Sequence, residues 1–184
     1  IPFTNIVEMI FKILTSNIHI QKIVENFYQE NRLKFISDQN NQNYLFEIKI
    51  NSSENKICIS SDHSKKFEIV TPFYYNKLIE IIEKIFLEFE INIGNLIYSP
   101  YRQELYNDQD VLFINDIHNN ILINLVLSKN GLNKDILYKI LWDKDKDVNM
   151  TKLDTHLTNL KNLVKNKFSC SFNFSTHKNL LRIN

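Results

Sequence analysis

Scarcity marks this chain first. Among 184 residues there is no alanine, and there are only 2 glycines, 3 prolines, 3 arginines, 2 cysteines and 1 tryptophan. Two glycines cannot build a glycine-rich phosphate loop, and neither a Gly-x-Ser-x-Gly elbow nor a His-Glu-x-x-His helix occurs. The chain is therefore read as a non-enzyme with no cofactor. Cys58 and Cys170 stand alone, so they form neither a disulfide framework nor a zinc ligand set. That usage fits a reducing, cytoplasmic setting. No apolar run approaches the roughly 20 residues needed to cross a bilayer, so no membrane partner is expected. Glu8 and Lys12 interrupt the apolar start that a secretory signal would need. The first residue is Ile, which points to a chain given without its original start. An excess of one charge sign is also missing: 22 basic residues face 21 acidic ones, for a net of +1. For the chain as a whole this argues against a uniformly basic nucleic-acid coat or an acidic tail.

What is abundant is 27 Ile, 26 Asn and 19 Lys. Their codons are A/T-rich, whereas those of the missing residues are G/C-rich, so the composition reads as that of an AT-rich genome. Runs of Asn or Lys consequently carry less structural meaning than usual. With 43% hydrophobic and 23% charged residues, the chain is that of a globular protein with a real core.

Periodicity divides it near residue 91. Residues 5–14 and 18–30 read as helices from the spacing of Ile6, Met9, Ile10 and Ile13, and then of Ile20, Ile23, Val24 and Phe27. From there the period shortens. Leu33 and Phe35, Leu45 to Ile50, Ile57 and Ile59, and Phe67 and Ile69 predict four short strands, with turn clusters at 37–43 and 51–55. Thr71-Pro72-Phe73 opens a helix to about Glu88, whose core stripe is Leu78, Ile81, Ile82, Ile85 and Phe89. Tyr74, Tyr75, Phe86 and Phe89 read as helix packing. After residue 91, Ile93 to Tyr98, Gln103 to Tyr106 and Val111 to Phe113 predict short strands. Helices follow at about 115–128, 133–142 and 150–166, then a hairpin over 168–183. The expected class is α+β: a small α/β segment, 1–90, and a second domain, 91–184, whose short strands, three helices and terminal hairpin follow the order of a winged helix.

Charge follows the same division. Residues 1–92 hold 10 basic and 12 acidic residues, a net of −2, and residues 93–184 hold 12 and 9, a net of +3. Beyond residue 149, Lys152, Lys161, Lys165, Lys167, Lys178 and Arg182 face the single Asp154. Such a patch attracts phosphates whatever the base sequence, although in a Lys-rich chain it also reads as a solvated face.

Four ordered stretches carry a likeness: Ile93-Gly94-Asn95-Leu96; Gly131-Leu132-Asn133-Lys134-Asp135-Ile136-Leu137 with Leu141-Trp142; Leu153-Asp154-Thr155-His156-Leu157-Thr158-Asn159-Leu160-Lys161; and Leu181-Arg182-Ile183. Together, over residues 91–184, they resemble the OmpR/PhoB-type winged-helix effector domain of response regulators. The resemblance implies a sequence-specific transcription regulator of a two-component type, with helix 150–166 in the DNA major groove. Leu153, Leu157, Leu160 and Val164 would face the core, and Lys152, Thr155, Asn159 and Asn162 the bases. A Thr methyl suits thymine, Asn suits adenine, and Lys152, Lys161 and Lys165 suit phosphates. His156 matches the family motif and reads as a helix histidine bonding locally or to phosphate. The family usually carries Arg near Asn159. It also ends its wing in Gly-Tyr-Arg, where this chain has His177-Lys178-Asn179-Leu180-Leu181-Arg182. Asn179 can supply the left-handed turn that glycine would, and Lys178 and Arg182 can reach DNA. The resemblance also implies RNA polymerase as a partner of the loop 143–149.

The first half resembles that family's receiver faintly. Phe67 to Phe73 followed by Leu78-Ile79-Glu80-Ile81-Ile82 is similar to the receiver's last strand and helix, with Thr71 where the receiver has lysine. No acidic pair closes an early strand, and the only Asp residues before 93 are Asp38 and Asp62. Ordinary phosphotransfer is therefore not expected, and this half is expected to serve dimerisation or partner contacts. The alternative for the whole chain is a winged-helix protein-binding module that has lost DNA binding. Asp143, Asp145 and Asp147 alternate as in a calcium loop with Asp154 at the twelfth position. However, Val148 replaces the required glycine and Asp154 the bidentate Glu, so a solvated turn is expected rather than a metal site.

Overall fold

A computed structural model describes residues 10–31, 34–36, 44–45, 47–53, 56–61, 64–128, 130–142, 150–170, 172 and 174–183. The protein is mixed α+β, and its residues group into two compact units that divide at residues 90 and 91.

The unit of residues 8–90 contains β1 (Ile10–Thr15), α1 (Ile18–Asn31), β2 (Lys34–Ile36), β3 (Glu47–Ser52), β4 (Lys56–Ser61), β5 (Ser64–Val70) and α2 (Tyr75–Glu88). The described part of the helix expected at 5–14 is instead strand β1, and residues 5–9 lie outside the described residues. Parallel neighbours flank β1 on both sides, with Lys12 opposite Ile36 and Ile13 opposite Ile48. Such an inner strand is covered on both faces, so Lys12 and Ile13 are both buried and the period of two disappears. Lys12 is tolerated there because its ammonium lies 3.5 Å from the Glu47 carboxylate.

The sheet order is β2-β1-β3-β4-β5, the order of flavodoxin-like sheets, but β3, β4 and β5 run antiparallel as a meander. Chain length explains the reversal. The links 53–55 and 62–63 are far shorter than the dozen or so residues of a parallel crossover. Ile48, Ile50, Ile57, Ile59 and Ile69 alternate along the strands and are buried. The predicted α2 stripe, Leu78, Ile81, Ile82, Ile85 and Phe89, is buried too, together with Phe86. The helix begins at Tyr75 rather than Thr71, because the residue before a proline is held out of the helical region. Tyr74 and Tyr75 therefore stand at its exposed start, Tyr74 with 89% exposure, and do not pack as expected.

The unit of residues 91–184 contains β6 (Ile91–Ile93), β7 (Leu96–Ser99), β8 (Glu104–Tyr106) and β9 (Val111–Phe113), then α3 (Asp116–Leu127), β10 (Leu132–Asn133), α4 (Lys134–Leu141), α5 (Met150–Phe168), β11 (Phe174–His177) and β12 (Leu180–Ile183). The first four strands form an antiparallel sheet in sequence order. Ile93 to Tyr98 is two strands, not one. Gly94 at φ +59 lets the chain reverse, so that Ile93 pairs with Leu96. The last three strands form a sheet of order β10-β12-β11.

Asparagine, abundant in this chain, is used structurally. Asn115 Oδ1 accepts from His118 N at 2.9 Å at the start of α3. Asn133 Oδ1 accepts from Asp135 N at 2.8 Å at the start of α4. Both satisfy amides that a helix leaves open. The helices enclose a core of Ile121, Leu125, Leu137, Tyr138, Leu141, Trp142, Leu153 and Leu157, closed by Leu181 of β12. Beside it, the buried Tyr98 hydroxyl bonds the Asn119 side chain, whose amide donates to Pro100 O at 3.1 Å. No described helix is long and apolar enough to cross a membrane.

Candidate nucleic-acid interface

Helix α5 positions most of the candidate residues. Leu153, Leu157, Leu160 and Val164 recur every three or four residues, and all four are buried. At about 100° per residue this turns Thr155, Asn159 and Asn162 directly away from the core, with Lys161 and Lys165 to one side. All five are exposed. Lys161 and Lys165 form no ion pair with any described residue, whereas Lys167 lies 2.8 Å from Asp110. The helix runs to Phe168, two residues beyond the expected end.

Its first turns are more constrained. The Thr155 hydroxyl donates to Thr151 O at 2.7 Å. The Asp154 carboxylate holds the Lys134 ammonium at 2.6 Å, and that lysine side chain is only 17% exposed. Lys152 departs from expectation. It is half-buried, and its ammonium sits 4.4 Å from the centre of the Trp142 ring, a cation–π contact that draws it off the outward face. Thr151, Asp154, Thr155, Thr158 and Asn159 line a shallow depression of about 310 Å³.

His156 is not on the outward face either. It is half-buried, with its ring 5.5 Å from Trp142 and 5.7 Å from His118. Burial, then the neighbouring Lys152, lowers its pKa below the ordinary value. His118 of α3 is 3% exposed, and neither ring nitrogen has a hydrogen-bond partner among the described residues. Burial, then His156, pushes it down to about 4. Both shifts favour the neutral imidazole, and the contacts of the two rings are with each other and with Trp142.

The terminal hairpin turns through Lys178 at φ 48 and Asn179 at φ 65, two consecutive left-handed residues of the kind a two-residue hairpin prefers. Asn179 occupies the conformation expected of it. Its amide also donates to Asp135 Oδ2 at 2.9 Å, and Lys134 N donates to Asn179 O at 3.0 Å. The turn is therefore fastened to the start of α4, with Lys178 exposed at its tip. Arg182 is less available than expected. Its Nε donates to Asn130 O at 2.9 Å, and its stem lies against Gly131 so closely that a Cβ there would meet Cγ at 2.8 Å.

The sequence reading thus placed Thr155, Asn159, Lys161, Asn162, Lys165 and Lys178 at the surface, where they are. It missed the anchoring of Lys152, His156 and Arg182. It also missed Lys134 and Asp135, whose roles depend on partners 20 and 44 residues away. The loop 143–149 lies outside the described residues, as do Asp38 and Asp62. Among the described residues, no group of three or more His, Cys, Asp or Glu is placed to hold a metal ion. No known family model matches this chain, and no curated protein matches it significantly.

Proposed function

We propose that the protein is a cytoplasmic, sequence-specific DNA-binding transcription regulator, whose residues 91–184 act as a winged helix with α5 in the major groove. One observation carries this reading. The outward face of α5 presents Thr155, Asn159 and Asn162, flanked by Lys161 and Lys165 with no ion-pair partner among the described residues, while its inner face is fully used in the core. Uncharged hydrogen-bonding side chains beside free cations are what base reading and phosphate clamping require. The sheet β10-β12-β11 adds support. It joins the hairpin to the helices and puts Lys178 at an exposed tip, where a wing would reach the backbone.

Residues 8–90 fit a regulatory, receiver-like segment without ordinary phosphorylation. In the order β2-β1-β3-β4-β5, the carboxyl ends of β1 and β3 carry Thr15-Ser16-Asn17 and Asn51-Ser52-Ser53, with no carboxylate to accept a phosphoryl group. Strand β4 ends at Ser61, opposite Ile48 near the start of β3, so the chain leaves it at the other edge. This segment would supply homodimer or partner contacts.

The second reading, a winged-helix protein-binding module, has its own observation. Ile136 and Ile140, one turn apart on α4, are 53% and 51% exposed. An exposed apolar pair on one helix suits a protein partner. The two readings separate on charge. Lys161→Glu with Lys165→Glu is expected to abolish binding to duplex DNA while leaving the helical circular dichroism unchanged. Retained affinity in the folded double variant would show that α5 is not the DNA-binding element.

A further inference from the structure

We infer that α5 reads A·T base pairs, with Asn159 contacting adenine and the Thr155 methyl contacting thymine, and that G·C pairs are excluded from its centre. This rests on the DNA-binding reading above and says which duplex that site takes.

Guanine is most often read by Arg or Lys, through its O6 and N7 acceptors. Helix α5 contains no arginine. Arg102 is engaged with Ser99 and Glu104, and Arg182 with Asn130. The cation nearest the outward face in the first turns of α5, Lys152, is drawn onto Trp142. Cytosine is read by a carboxylate accepting from its N4 amine, but the Asp154 carboxylate is held by Lys134 at 2.6 Å. In the first turns of α5 the Lys152 ammonium and one Asp154 carboxylate oxygen are thus held by contacts within the fold, and Lys161 and Lys165 lie to one side of the outward face.

What remains at the centre is suited to the other pair. An Asn amide can accept from adenine N6 and donate to N7 at once, and Asn159 is exposed with no partner among the described residues. Thr155 spends its hydroxyl hydrogen on Thr151 O at 2.7 Å, which leaves its γ-methyl as the group available outward. Thr155 borders the depression shared with Thr158 and Asn159, a concave surface able to receive the C5-methyl of thymine.

The test begins by selecting sites from a random duplex pool with the full chain. A selected duplex is then titrated after replacing thymine with deoxyuridine, which lacks the C5-methyl, or adenine with 7-deazaadenine, which lacks N7. Selected sites should carry A·T pairs at their centre. Each replacement should weaken wild-type binding by about fivefold or more. Thr155→Ser should be insensitive to deoxyuridine, and Asn159→Ala insensitive to 7-deazaadenine. Tight binding with G·C centres, or with no base preference, would overturn the A·T inference and leave DNA binding standing. Failure to bind any duplex would overturn both.

Discussion

The two units each bury a core of aliphatic side chains but use their charges in opposite ways. In residues 8–90, isoleucines alternate along the strands, and charged residues of the sheet are paired within and between its strands. Lys12 and Lys49 meet Glu47, and Lys56 and Lys66 meet Glu68. Hydrogen bonds from Lys66 and Lys56 hold the Glu68 carboxyl below its usual range. In residues 91–184 the core is leucine-rich and helical, and Lys161, Lys165 and Lys178 remain outside it without ion-pair partners among the described residues. A net charge of +1 for the chain conceals this. One unit largely neutralises its charges within its sheet, and the other keeps cations available for a ligand.

The contrast can be tested first through the cores. Leu160 and Ile82 are each 0% exposed, one in each unit. Replacing either with Ala should cost about 2–5 kcal/mol. Trp142, the only tryptophan, reports on the second unit by fluorescence, and Leu160→Ala should lower the urea midpoint it records. A loss below about 1 kcal/mol would mean that α5 is not seated as described.

A smaller effect distinguishes the units by pH. The second contains the buried His118 beside the half-buried His156, whereas His19 of the first is exposed. The folded pKa of His118 is depressed to about 4, so the folded state binds fewer protons than the unfolded chain, and acid favours unfolding. This contribution is fully present above the ordinary histidine pKa of about 6.5, declines between there and about 4, and is gone below. Its limit is roughly 3 kcal/mol. Urea midpoints followed by Trp142 fluorescence should fall through that window. His118→Phe should flatten the fall, and an unchanged slope in that variant would assign the sensitivity elsewhere.

Legibility in the sequence tracked how local each determinant is. The three helices of the second unit were readable because the residues that decide each of them lie within a few positions of one another. The outward set Thr155, Asn159 and Asn162 followed from the same spacing. Strand β1 was misread because its neighbours, β2 and β3, which make it an inner strand, come from later in the chain. The sheet order of the first unit was likewise invisible, since pairing rather than periodicity decides it. Lys152 and Arg182 looked available because Trp142, Asn130 and Gly131, which engage them, lie 10 to 52 residues away.

The central claim is that the cations of the second unit meet phosphates. The most direct measurement is the affinity of the full chain for duplex DNA between 50 and 200 mM salt. Three or four lysine–phosphate contacts predict a slope of log affinity against log salt of about −2.7 to −3.6, a loss of roughly 40- to 150-fold over that range. Affinity that is absent at 50 mM, or that does not change with salt, would contradict the account.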